Sequence, residues 1–248
     1  MALNATRHYR RIAALAGLEV RRALWAEAIR SESPPDTARN LDAAVRAAAR
    51  REPAGLAAVL ALLDVDDLSR RAGPGRLAQV LDAARRLDLD GAMFLLEFPG
   101  RPVRSGELGP PPDPAVEAHT LGLRKAAARG LRTPLLERLL TDPDPRVVRE
   151  LLRNPRLREA EVVALASRRP ARLAVFGHLA RAEAWIVRPA VQRAVVRNPF
   201  APPRLVRPLL LGQPRPLLEE VAQDKGLHPA VRDGALRILA WRREGDQA

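Results

Sequence analysis

The sequence predicts an all-α protein with a helical module over residues 1–98, a Pro/Gly-rich linker over 99–114, a helical-repeat array over 115–243 and a short tail over 244–248. Three observations carry that prediction. Apolar residues recur at helical spacing, and no run alternates with the period of a strand. The 23 prolines fall where helices would begin or end. Inside a helix proline costs about 3 kcal/mol, whereas at the first helical position its missing N–H has no intrahelical partner to lose. Finally, PRVVRELLRNP, Pro145 to Pro155, aligns without gaps to PAVQRAVVRNP 44 residues later, and more loosely to PAVRDGALRIL, Pro229 to Leu239.

In the first module, helices are expected near residues 6–30, 35–50, 53–63, 75–87 and 90–97. Ile12, Ala16, Val20, Ala23 and Leu24 mark one apolar stripe, and Ser33-Pro34-Pro35-Asp36 supplies a start signal. The stretch Pro99 to Pro114, PGRPVRSGELGPPPDP, holds nine Gly or Pro in sixteen residues and reads as a linker. Beyond it, PLLERLLTD (Pro134 to Asp142) matches PLLEEVAQD (Pro216 to Asp224), and Val162, Leu165 and Pro170 fall on Val206, Leu209 and Pro214. One unit therefore holds three short helices whose apolar faces need a stacked neighbour to be buried. Two features disturb the register: Pro208 should kink or split the helix starting near Pro203, and AWIV around Trp185 adds residues.

Within the unit, Val147, Val148, Leu151 and Leu152 share one face of a helix while Arg146, Arg149 and Arg153 share the other. Asp144 is placed to cap that helix and Asp142 to serve the preceding turn. Asn154 and Asn198, each before a proline, stop one helix and start the next turn.

The string TPLLERLLTDPDPRVVRELLRNPRL, beginning at Thr133, resembles the units of bacterial leucine-rich repeat variants: T-P-x-x-L-x-x-L, then D-P-D-x-x-V-R, an apolar pair and N-P. More broadly, residues 133–243 resemble HEAT-like, armadillo-like helical repeats. The resemblance implies a right-handed α-solenoid following the N-terminal helical module. Founding members of the variant-repeat group carry a cysteine-ligated iron-sulfur module, which cannot be transferred to a chain with no cysteine.

Composition narrows the chemistry. Absence of cysteine removes disulfides, cysteine-bound zinc and thiol nucleophiles. His8, His119, His178 and His228 have no ligand spacing, no G-x-S-x-G elbow surrounds a serine, and RAGPGRLAQ from Arg71 lacks the phosphate-loop lysine. Asp142 and Asp144 read as turn and cap rather than as paired catalytic acids. Trp185, Trp241, Phe176 and Phe200 read first as packing in a chain with eight aromatic residues, and otherwise as a stacking surface. No catalytic residue, metal, cofactor or small-molecule substrate is expected. The longest uncharged helical run, Pro53 to Leu63, is too short to span a membrane, and the expectation is a cytoplasmic protein.

Arginine carries the functional expectation. Net charge is +13, and arginine outnumbers lysine 40 to 2. Arg149 and Arg153 recur as Arg193 and Arg197, and Arg153 again as Arg237. Arg146, Arg149, Arg153, Arg193, Arg197 and Arg237 are thus the expected partner-binding residues of a non-enzymatic scaffold that holds an acidic protein along its repeats. The alternative is backbone contact with DNA or RNA by the same ladder, which the resemblance permits because HEAT-like folds include alkylpurine DNA glycosylases; a DNA glycosylase-like enzyme ranks below it. A solvated outer face, with Glu150 supporting Arg146, is the plain structural account. Contact with anionic lipid ranks third, for want of a bulky apolar edge.

Overall fold

The computed structural model describes residues 2–97, 113–131 and 133–246. Every regular element among them is an α-helix, and no helix is long and apolar enough to cross a membrane. The linker read over 99–114 lies outside the described residues except for Asp113 and Pro114, which cap and open a helix. The chain divides into two compact units, Met1–Gly100 with Pro203–Ala248, and Arg101–Pro202. This corrects the expected array over 115–243, because its last repeat packs with the first hundred residues.

The first unit begins with α1 (Ala2–Ala13) and α2 (Leu18–Ser31). The sequence pattern reads as one helix here, but Gly17 at φ 87° breaks it, a left-handed conformation that glycine adopts without strain. Next come α3 (Pro34–Ala49), α4 (Pro53–Leu60), α5 (Val65–Ala72), α6 (Arg76–Arg86) and α7 (Asp90–Leu96). Sequence reading missed α5, whose short VDDLSRRA run is started by the Asp64 side chain accepting from the Asp67 N–H. Helix α3 is central and packs on α1, α4, α6 and α7. Its alanines allow close approach: a Cβ on Gly55 of α4 would lie 2.4 Å from the Ala48 nitrogen.

The same helix ends in a Schellman turn, with Arg51 N–H donating to Ala48 O at 2.8 Å and Glu52 N–H to Ala47 O at 3.0 Å. The position inside this turn normally belongs to glycine. Here Arg51 holds φ 61°, which costs an L-residue of its type about 1 kcal/mol or more.

The C-terminal helices of this unit are α16 (Pro203–Leu210), α17 (Arg215–Gln223) and α18 (Pro229–Asp246), numbered after those of the second unit. Contrary to the expected split, α16 runs through Pro208, which sits within one turn of its end. Residues 244–246, expected as tail, continue α18. Three side chains explain why this repeat joins the first module. Trp241 meets Phe94 edge-on at 5.3 Å and donates to Asp90 Oδ2 at 3.1 Å. Arg207 lies 4.5 Å over the Phe94 ring and donates to Glu97 O at 2.9 Å. Arg242 donates to the carbonyls of Ala49, Gln213 and Leu211 at 2.7, 2.9 and 2.8 Å.

The second unit contains α8 (Pro114–Glu117), α9 (Leu121–Arg129), α10 (Pro134–Leu139), α11 (Pro145–Arg153), α12 (Glu159–Ser167), α13 (Leu173–Arg181), α14 (Glu183–Ile186) and α15 (Pro189–Val196). Val116, Ala128, Leu136, Leu139, Val147 and Leu151 form one buried cluster. The recurring R-N-P motif has a repeated structural task here. Asn154 Nδ2 donates to Ala128 O at 2.8 Å and Gly130 O at 3.1 Å, closing the end of α9, while its Oδ1 accepts from Arg156 N–H. Asn198 repeats this on Ala166 O at 2.8 Å and Arg168 O at 2.9 Å, closing α12, and accepts from Phe200 N–H. Carbonyls at a helix end lack intrahelical donors, and these buried amides supply them. The expected turn role of both asparagines is therefore present, together with a long-range tie.

Candidate functional site

The basic face of the second unit is organised by α11, whose position is fixed at both ends. At the start, Asp144 Oδ1 accepts from Arg146 N–H at 2.8 Å, and Asp142 Oδ1 accepts from Asp144 N–H at 2.8 Å. Asp142 is fully buried at its side chain, and both its oxygens take Arg124 Nη1, at 2.9 and 2.8 Å. These aspartates hold a helix start. His228 does the same before Pro229, its Nδ1 accepting from Ala230 N–H at 3.1 Å. At the far end of α11, Asn154 ties the chain to α9. Between these anchors Val147, Val148, Leu151 and Leu152 are buried, as their spacing requires.

The expected arginines fall into different situations. Arg146 is committed to Asp144 through Nε at 3.1 Å and Nη2 at 2.8 Å, and that hydrogen bond holds the Asp144 carboxyl below its ordinary pKa. Arg149 donates through Nε and Nη2 to Glu150 Oε1 at 3.3 and 3.1 Å. Arg129 of α9 reaches Glu150 Oε2 at 2.9 Å. Glu150 therefore does not support Arg146; it turns inward between α9 and α11, with its side chain 5% exposed. The Arg129 bond, helped by Arg149 and opposed by burial, brings its pKa down to about 2. Arg153 is exposed and pairs with no carboxylate among the described residues.

Helix α13 packs on α11 and adds two residues that sequence reading missed, His178 and Arg181. His178 is half-buried, and its pKa is lowered by burial, then by Arg181, Arg149 and Arg153, with Glu150 acting in the opposite sense. That lowering favours the neutral imidazole, so guanidinium groups carry most of the charge of this cluster. Pro134 and Glu137 stand 44 residues before His178 and Arg181 and share none of their chemistry, so the repeat supplies no signal for either.

On α15, Arg193 is exposed and likewise pairs with no carboxylate among the described residues. Arg197 is half-buried, and its carbonyl accepts from Arg169 Nη2 at 2.6 Å. Arg237 requires correction as a member of the ladder. It belongs to the first unit, donates through Nε to Asp90 Oδ2 at 3.2 Å, makes a second contact with that carboxylate, and lies 5.6 Å over the Trp241 ring. Burial and nearby Arg46 lower its pKa.

The aromatics are packing residues. Phe176, Phe200, Trp185 and Trp241 are all buried, and Trp185 Nε1 donates to Leu152 O at 2.8 Å. Among the described residues no three His, Asp or Glu side chains converge as a metal site. Comparison with protein-family models, curated proteins and solved structures finds no match.

Proposed function

We propose that the chain is a non-enzymatic helical scaffold that binds an acidic protein segment on the α11 and α13 face of its second unit. Its helices are read as HEAT-like units of the leucine-rich-repeat-variant type in a right-handed solenoid arrangement. That architectural reading is supported by Asn154 and Asn198, which close α9 and α12 in the same way at equivalent repeat positions.

The observation that carries the functional reading is Arg153: exposed, without a carboxylate partner among the described residues, and grouped with Arg149 and Arg181 around His178, whose pKa is lowered by burial and by those cations. An acidic side chain arriving there meets a guanidinium fork that needs no internal ion pair broken. Nucleic acid fits less well. Arg146 and Arg149 are already paired with carboxylates, while Arg153 and Arg193 are exposed and outside such pairs among the described residues. Neutralising two phosphates gives a salt slope of only about −1.8.

Fluorescence anisotropy with a labelled acidic peptide, duplex DNA and single-stranded RNA, at ~50 and ~150 mM NaCl, tests the choice. The peptide should bind and retain measurable affinity at the higher salt. Binding of DNA or RNA in preference to the peptide, with a steep salt slope, would overturn the reading.

A further inference from the structure

Within the first unit, a cleft of about 440 Å³ opens where the end of α3 meets the start of α17 and the last turns of α18. Five guanidiniums line it, Arg50, Arg51, Arg215, Arg242 and Arg243, against one carboxylate, Glu219. Arg215 takes that carboxylate at 2.8 Å, and Arg50 pairs with Glu52 at 2.8 Å. Arg51 and Arg243 are exposed and pair with no carboxylate among the described residues.

Arg242 differs from both groups. Its guanidinium is half-buried and held by three neutral carbonyls, so its position is fixed while its charge has no counter-ion among the described residues. Two of its five N–H groups remain outside those bonds. Its pKa is lowered by burial and then by the like charge of Arg51. Three cations thus share one concave wall, and like charges held together in this way lower their mutual repulsion by taking up an anion.

Arg51 adds an independent observation. It occupies the glycine position of a Schellman turn at φ 61°, where the backbone favours a residue without a side chain. Asp88, the other left-handed non-glycine residue among the described residues, is of a type that tolerates this region; arginine is not. The strained position is therefore occupied by an exposed side chain without a carboxylate partner among the described residues, and that side chain lines the cleft.

We propose that this cleft binds a small molecule bearing two adjacent phosphate groups, gripped by Arg51, Arg242 and Arg243. Planar guanidinium forks suit phosphate oxygens, and three cations match the charge of a diphosphate. The volume suits a small ligand rather than a macromolecule, and Ala49 and Leu239 give the apolar wall against which the rest of it would lie.

Isothermal titration calorimetry of the full chain with inorganic pyrophosphate, at ~50 mM NaCl, tests the proposal. Arg51→Gly and Arg243→Gln should each weaken binding roughly tenfold or more, the loss expected for one charged hydrogen bond. Arg51→Gly should also leave the thermal midpoint unchanged or raise it, which separates loss of binding from loss of fold. Arg86→Gln, exposed and outside the cleft, should bind pyrophosphate as the parent does. Tighter binding of ADP than of pyrophosphate would extend the site to nucleotides, and equal binding would restrict it to the diphosphate itself. No binding at millimolar pyrophosphate, or equal losses in Arg51→Gly and Arg86→Gln, overturns the proposal.

Discussion

Replacing Asn198 by alanine removes three hydrogen bonds at once: two donated to Ala166 O and Arg168 O, and one accepted from Phe200 N–H. Asn198 is 2% exposed, so water does not readily take its place. At about 1 kcal/mol net for each bond, the expected loss is about 3 kcal/mol, with the larger share coming from carbonyls left unsatisfied at the end of α12. Asn154→Ala should behave alike at α9, since it makes the same three bonds and is 3% exposed. Asn198→Asp sharpens the reasoning. It keeps the acceptor for Phe200 N–H but faces two carbonyl oxygens with a carboxylate, and should destabilise at least as much as alanine. Urea unfolding followed by far-UV circular dichroism gives the free energies. Losses below about 0.5 kcal/mol, typical of ordinary surface substitutions, would refute the assignment of these amides as interhelical ties.

Further outcomes follow from the ion pairs of the second unit. Arg124→Gln leaves the buried Asp142 carboxylate without its guanidinium and should cost about 3–5 kcal/mol in the same urea titration. Glu150 has a depressed pKa in the folded state, so its stabilisation is present above the unfolded value near 4.5 and is lost as pH falls towards about 2. Partial exposure of Arg129 and Arg149 discounts that stabilisation to roughly 1–2 kcal/mol. Comparing Glu150→Gln with the parent from pH 7 to pH 2 should show the difference shrinking only below pH ~4.5. The same variant should bind the acidic peptide more tightly, because an internal competitor for Arg149 has gone. Trp185→Phe should cost about 1–2 kcal/mol by leaving the Leu152 carbonyl unsatisfied.

Local chemistry was legible in the sequence where a residue acts on its own chain neighbours. Asp144 and His228 cap the helices that follow them, Asn154 and Asn198 start turns, and prolines open α3, α4, α8, α10, α11, α15, α16 and α18. What distant residues do was not legible. The amide of Asn154 donates across 26 residues to α9, which no local pattern encodes. Arg242 takes over that carbonyl-closing task in the last repeat, where Ile238 stands 40 residues after Asn198, and it draws α18 onto α3. The repeat identified Arg149 and Arg153, but their neighbours His178 and Arg181 depend on how α13 packs. Arg237 kept the sequence register while exchanging an outward role for Asp90.

The central claim, that the α11 and α13 face binds an acidic segment through its guanidiniums, is tested most directly by one comparison. Arg149→Glu/Arg153→Glu/Arg181→Glu is titrated with the acidic peptide beside the parent chain, with circular dichroism confirming equal helicity. The account predicts a loss of at least roughly a hundredfold in affinity, as the open Arg153 fork and its two guanidinium neighbours become repulsive. Unchanged affinity in the folded triple variant would contradict it.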